Sequence, residues 1–168
     1  MPLVSMKSVL LNAQKEKYGV IAANLLTFEM IRGGIRAAEA NHSPLILQLA
    51  PVQFNTAPLA YIGPLMVAMA KSATVPVAVH LDHGFDMSEV ELAIKLGFSS
   101  VMVDASKYPF EENVAITKKV VATASKSNVT VEAELGYMGG EEDKDGHARE
   151  AKAECPSDGC GQTPRPSV

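Results

Sequence analysis

The sequence predicts an α/β fold, a TIM-type (β/α)8 barrel supplied here with about five βα units and followed by a disordered C-terminal tail. Three observations carry that reading. Short runs rich in β-branched residues recur at a near-constant interval, each followed by a helical pattern. The runs are apolar on both faces, as strands of a parallel sheet covered by helices must be. Acidic and imidazole side chains stand at the C-terminal ends of several runs, the place where barrels gather functional groups.

The elements follow in order. A leading helix over Ser5–Lys17 precedes a strand at Val20–Leu25 and a helix at Thr27–Ala40. A second strand at Pro44–Leu49 leads to a helix at Ala57–Ala73, and a third at Val75–Leu81 to a helix at Met87–Leu96. A fourth strand at Ser100–Ala105, a helix at Glu111–Ser127 and a fifth strand at Val129–Leu135 complete the pattern. Ser5, Thr27 and either Asp86 or Ser88 are the start signals, since their side-chain oxygens can accept from free first-turn N–H groups. Gly97 and Gly19 are expected as left-handed stops. An open doubly wound sheet would show a Gly-rich phosphate turn after an early strand, and IAANLLTF has none.

The count of strands sets a limit. Closure takes eight strands and typically ~250 residues. After Asp145 the composition turns polar and proline-rich, which predicts residues 1–145 as a partial barrel domain and 146–168 as a disordered polar tail. Apolar residues at 47% and charged residues at 20% are those of a globular chain. A net charge of −4 gives nucleic acid no electrostatic reason to bind. No apolar run reaches the ~20 residues a bilayer requires, and the first residues lack a basic segment followed by a long apolar one. The expectation is therefore a cytoplasmic protein with neither membrane nor nucleic acid as partner. Cys155 and Cys160, a single C-x4-C pair, are poor grounds for a zinc site or a disulfide framework.

The chemistry concentrates where strands end. By two-residue alternation Ala78, His80 and Asp82 share one face, as do Met102, Asp104 and Ser106, and as do Glu132 and Glu134. Asp82 beside His83 suits a proton-transfer acid next to a metal ligand, or simply a solvated strand end. His80, deeper in its run, reads as a packed, hydrogen-bonded histidine or one that orients a ligand. Asp104 alone could be a helix cap. The glycines and acids of VEAELGYMGGEED suit a hinged lid with a carboxylate at its tip, or an acidic solvated loop.

Four segments, YGVIAANLLTFEM, PVAVHLDHG, SVMVDAS and VEAELGYMGGEED, make the first ~145 residues resemble the class II (zinc-dependent) fructose-bisphosphate/tagatose-bisphosphate aldolase family. The resemblance implies a Zn2+ enzyme of carbohydrate metabolism and glycolysis. It would cleave a ketose 1,6-bisphosphate to dihydroxyacetone phosphate and glyceraldehyde 3-phosphate, and form a homo-oligomer. It makes Asp82 the acid/base on the C4 hydroxyl and His83 a zinc ligand, with Asp104 and Glu134 at a second or alternative metal position. Glu142 on the lid would move the proton at C1 of the dihydroxyacetone phosphate portion, and Asn24 would lie near the substrate. Ala50 stands where many relatives carry a serine near the substrate phosphate. The other aldolase class uses a lysine within a barrel strand, and none of the five runs contains one. The family takes two further zinc-binding histidines from later strands. A truncated, catalytically incomplete fragment is therefore the alternative expectation.

Overall fold

The computed structural model describes residues 2–136. Gly139, Gly140 and the lid acids Glu141, Glu142 and Asp143 lie outside the described residues, as does the 146–168 segment. A leading helix α1 (Met6–Glu16) precedes β1 (Ile21–Asn24), α2 (Phe28–Ala40) and β2 (Leu45–Leu49). A short 3-10 turn (Pro51–Gln53), α3 (Leu59–Ser72), β3 (Val77–Gly84) and α4 (Met87–Leu96) follow. The chain continues through β4 (Ser100–Val103), α5 (Phe110–Ala124) and β5 (Thr130–Ala133). The five strands are all parallel and lie side by side in the order β1-β2-β3-β4-β5. A doubly wound sheet reverses its strand order at a switch point. Here the order runs on in one direction, as along a barrel wall.

Local chemistry explains where the helices begin and stop. The side chains of Ser5, Thr27 and Asp86 accept from the N–H groups of Ser8, Met30 and Glu89 at 3.3, 3.3 and 3.0 Å. Of the two candidate starts for α4, Asp86 is the cap, and the Glu89 carboxylate reaches back to the Phe85 N–H at 2.8 Å. Gly97 ends α4 at φ 92. The expected stop at Gly19 is corrected: the left-handed residue after α1 is Lys17 at φ 58, which lets Tyr18 N–H reach the Ala13 carbonyl at 3.0 Å. The carbonyls left open by the last helical turn decide where the chain turns.

The strands separate two apolar layers. Leu45, Leu47 and Leu49 of β2, Val77, Val79 and Leu81 of β3 and Val101 and Val103 of β4 face the helices and form the main core with Ile31, Met66, Val90, Phe98 and Val120. On the opposite face Ile46 and Ala78 pack against Met6, with Leu10 and Val20 beside them. Thus α1 covers the N-terminal end of the inner face, and Lys7 N–H donates to Thr130 Oγ1 at 3.2 Å. Farther along the strands the same face turns polar.

One irregularity interrupts the sheet. Leu81 pairs with Val101, yet Gly84 pairs with Val103, so β3 spends three steps where β4 spends two. This is a bulge, and His83 within it takes φ 48. Gly84 closes the bulge so near to β4 that a Cβ there would stand 2.8 Å from the Met102 carbonyl oxygen and 3.0 Å from Leu81 Cδ2. A backbone oxygen cannot step aside as a flexible side chain can. Gly84→Ala is therefore expected to destabilise the chain by about 2 kcal/mol. Thermal denaturation checks this; a variant melting with the wild type would show that the two strands have slack here.

Candidate metal and acid/base site

The polar part of the inner face lies at the C-terminal ends of β3, β4 and β5. Asp82 and His83 sit in the bulge of β3, Asp104 one residue beyond β4, and Glu134 one residue beyond β5. His83 Nδ1 is 3.0 Å from Asp104 Oδ2 and 3.8 Å from Glu134 Oε2, while its Nε2 is 3.8 Å from Asp82 Oδ1. One ligand atom each from His83, Asp104 and Glu134 can be chosen so that all lie within 4.8 Å of one another. The three carboxylates are mostly covered, and the imidazole is about half exposed toward the mouth.

Strict alternation would send His83 to the helix side, in line with Val79 and Leu81. The extra residue of the bulge re-aims it to the side of Asp104 and Glu134. Asp104 is held in turn by Ser106, whose hydroxyl and backbone N–H donate to Oδ1 at 2.6 and 3.1 Å. That leaves Oδ2 for His83.

The protonation states follow from these neighbours. Burial disfavours the charged His83 ring, but the hydrogen bond to Asp104 and the charges of Asp82, Asp104 and Glu134 outweigh it and raise its pKa. Asp104 is likewise opposed by burial, yet the Ser106 and His83 hydrogen bonds hold its carboxyl below the usual range. Glu132 is pushed up, first by burial and then by the neighbouring Asp82 and Glu134 charges. His80 is pulled down to about 4, chiefly by burial and then by the charge of His83. It is thus neutral at pH 7, with Ser100 Oγ 2.9 Å from Nδ1. Its Nε2 lies 3.4 Å from Glu132 Oε2, a polar contact rather than an ion pair while the ring stays uncharged.

All five described residues anticipated for the site therefore share one rim: Asp82, His83, Asp104, Glu134 and Asn24, whose Nδ2 lies 3.5 Å from Asp82 Oδ2. The anticipated Glu142 is outside the described residues. Sequence reasoning missed Gln48, whose Nε2 donates to Asp82 Oδ2 at 2.9 Å, and Gln53 behind it. The available signal was a lone polar side chain in the otherwise apolar run LILQL. The donor set fits a divalent ion of zinc type, since one imidazole nitrogen and two carboxylates are ordinary ligands. The contact of His83 Nδ1 with both carboxylates shows that the groups converge on a common point.

A parallel barrel wall carrying imidazole and carboxylates at its C-terminal rim defines a protein of the (β/α) barrel class. The chain belongs, within that class, to the family described as "Fructose-bisphosphate aldolase class-II", whose sequence profile matches residues 4–158. It is 46% identical over 144 residues to a Giardia intestinalis protein named fructose-bisphosphate aldolase, covering 85% of this chain and 45% of that protein. It is 43% identical over 146 residues to the Staphylococcus aureus (strain Mu50) protein of the same name, covering 85% and 51%. The crystal structure of the YdjI aldolase from Escherichia coli K12 superposes with a TM-score of 0.77 at 36% identity, over 83% of this chain and 53% of that one. The chain spans about half the length of the curated relatives it matches. Among the described residues no helix is long and apolar enough to cross a membrane.

His80 gives the site a pH signature. Its folded pKa of about 4 lies below the model-peptide value of 6.5, so under pH 6.5 the unfolded chain binds a proton that the folded chain refuses. Stability from this group is full above pH 6.5 and is lost as pH falls toward 4. The stability difference between wild type and His80→Gln should shrink by about 3 kcal/mol between pH 7 and 4. Denaturant titrations at several pH values measure it, and parallel curves for the two proteins would refute a neutral buried ring.

Proposed function

We propose that this chain forms the acid/base and metal-binding part of a zinc-dependent aldolase acting on fructose 1,6-bisphosphate. The carrying observation is the convergence of His83, Asp104 and Glu134 within 4.8 Å, with Asp82 beside them. The names of the relatives favour the fructose over the tagatose substrate.

Cleavage of the C3–C4 bond requires a base at the C4 hydroxyl. Asp82 takes that role: its Oδ2 is already engaged by Gln48, and its Oδ1 makes no hydrogen bond among the described residues. As the proton moves to Asp82, the C4 oxygen becomes the carbonyl of glyceraldehyde 3-phosphate and the bonding pair stays with the dihydroxyacetone phosphate portion. A divalent ion held by His83, Asp104 and Glu134 supplies Lewis-acid stabilisation of that negative charge. His83 reaches its ligand position because the bulge turns it, and Asp104 is kept ionised by Ser106. Asn24 lies beside Asp82, where it can meet the substrate hydroxyls. Glu142 is assigned the proton at C1 of the dihydroxyacetone phosphate portion.

Two measurements test the proposal on the same preparation, zinc content and release of dihydroxyacetone phosphate from fructose 1,6-bisphosphate. Stoichiometric zinc with turnover is expected, and its removal by a chelator should abolish turnover. Asp82→Ala should lower kcat by about 10²–10⁴-fold while zinc stays bound. His83→Ala should instead release the metal. A wild-type chain with neither zinc nor turnover would sink the proposal and leave the incomplete-fragment reading in its place.

A further inference from the structure

A chain of side-chain amides runs from the loop after β2 to Asp82, and its direction is fixed at one end. The Ala50 backbone N–H, which can only donate, meets Gln53 Oε1 at 3.0 Å. That contact makes the facing atom of Gln53 an oxygen. The same oxygen accepts from Asn24 Nδ2 at 3.2 Å, so the atom of Asn24 facing it must be its nitrogen. Asn24 then has only its oxygen left to present to Gln48, whose Nε2 donates to it at 2.8 Å. The second hydrogen of Gln48 Nε2 points to Asp82 Oδ2 at 2.9 Å, and Asn24 Nδ2 approaches the same oxygen at 3.5 Å. No amide in this series can flip without placing two acceptors or two donors face to face.

We propose that Gln48 and Gln53 are positioning residues for Asp82, forming a one-way amide relay that binds Oδ2 and leaves Oδ1 as the oxygen that exchanges the proton. The loop residue Gln53 acts on Asp82 through two intervening amides. Among the described residues its own amide nitrogen makes no hydrogen bond, so its oxygen carries the effect. At position 48 the opposite holds, since only the nitrogen faces Asp82. The role in catalysis rests on the reading of Asp82 as the C4-hydroxyl base; the direction of the relay rests on geometry alone.

That asymmetry yields a test with the 168-residue chain. Gln53→Glu keeps the accepting oxygen and should melt within about 2 °C of wild type, whereas Gln53→Leu loses it and should melt lower. Gln48→Glu sets a carboxylate against Asp82 and Asn24 Oδ1 and should melt lower by roughly 4–8 °C or fail to fold. Adding Asp82→Asn to Gln48→Glu supplies a donor and should restore at least half of the loss. The relay is overturned if Gln53→Glu and Gln48→Glu are equally harmful, or if Asp82→Asn restores nothing. For the positioning role, Gln48→Leu should lower kcat for cleavage by about 10–100-fold with KM little changed. An equal rise in KM would make Gln48 a substrate contact instead. Absence of cleavage in the wild type would count against the proposed function and would not alter the melting contrast.

Discussion

The bulge at the end of β3 is the feature on which the site depends. Without the extra residue between Leu81 and Gly84, the imidazole of His83 would join Val79 and Leu81 under the helices. A histidine at φ 48 carries a conformational cost of about 1–2 kcal/mol. The contact with Asp104 and the field of three carboxylates offset it. The bulge in turn requires Gly84, because the strand returns to β4 at a distance that admits no Cβ. Apolar strand, aspartate, histidine and glycine are thus parts of one device. The strand sets the depth, the bulge sets the direction and the glycine restores the pairing.

Electrostatics then divide the inner face into zones. Near the N-terminal ends of the strands Met6, Ile46 and Ala78 make it dry, and His80 above them is buried enough to stay neutral. At the rim Asp82, Asp104 and Glu134 crowd around the His83 imidazole and favour its charged form, raising its pKa. Glu132, beside His80, responds by holding its proton more tightly. Asp104 responds in the opposite sense because Ser106 donates to it twice. Three acids packed so closely make a cation at His83 favourable, whether a proton on the ring or a divalent ion replacing it.

The polar side chains between these zones are ordered by fixed backbone donors. Ala50 N–H orients Gln53, and the Ser106 N–H orients Asp104. In each case a group that cannot flip sets the direction of groups that can. A half-buried polar network satisfied in this way holds one geometry, which a proton-transfer site requires.

The sequence by itself determined the parallel α/β architecture, because strands apolar on both faces alternate with capped helices. It also determined which strand ends carry acids, because alternation puts Asp104 beside Met102 and Glu134 beside Glu132 on one side of their strands. The motifs around Asp82 and Glu134 pointed to the family, which the profile match over residues 4–158 bears out. Only the tertiary structure decided that His83 shares that side, because a bulge depends on how β3 meets β4 and breaks the two-residue rule locally. It alone joined Gln48 and Gln53 to Asp82, since those bonds link residues 34 or more apart, or pass through Asn24, and leave no periodic trace. Local pattern is legible wherever backbone geometry repeats. It falls silent where separate strands meet, and there the site is built.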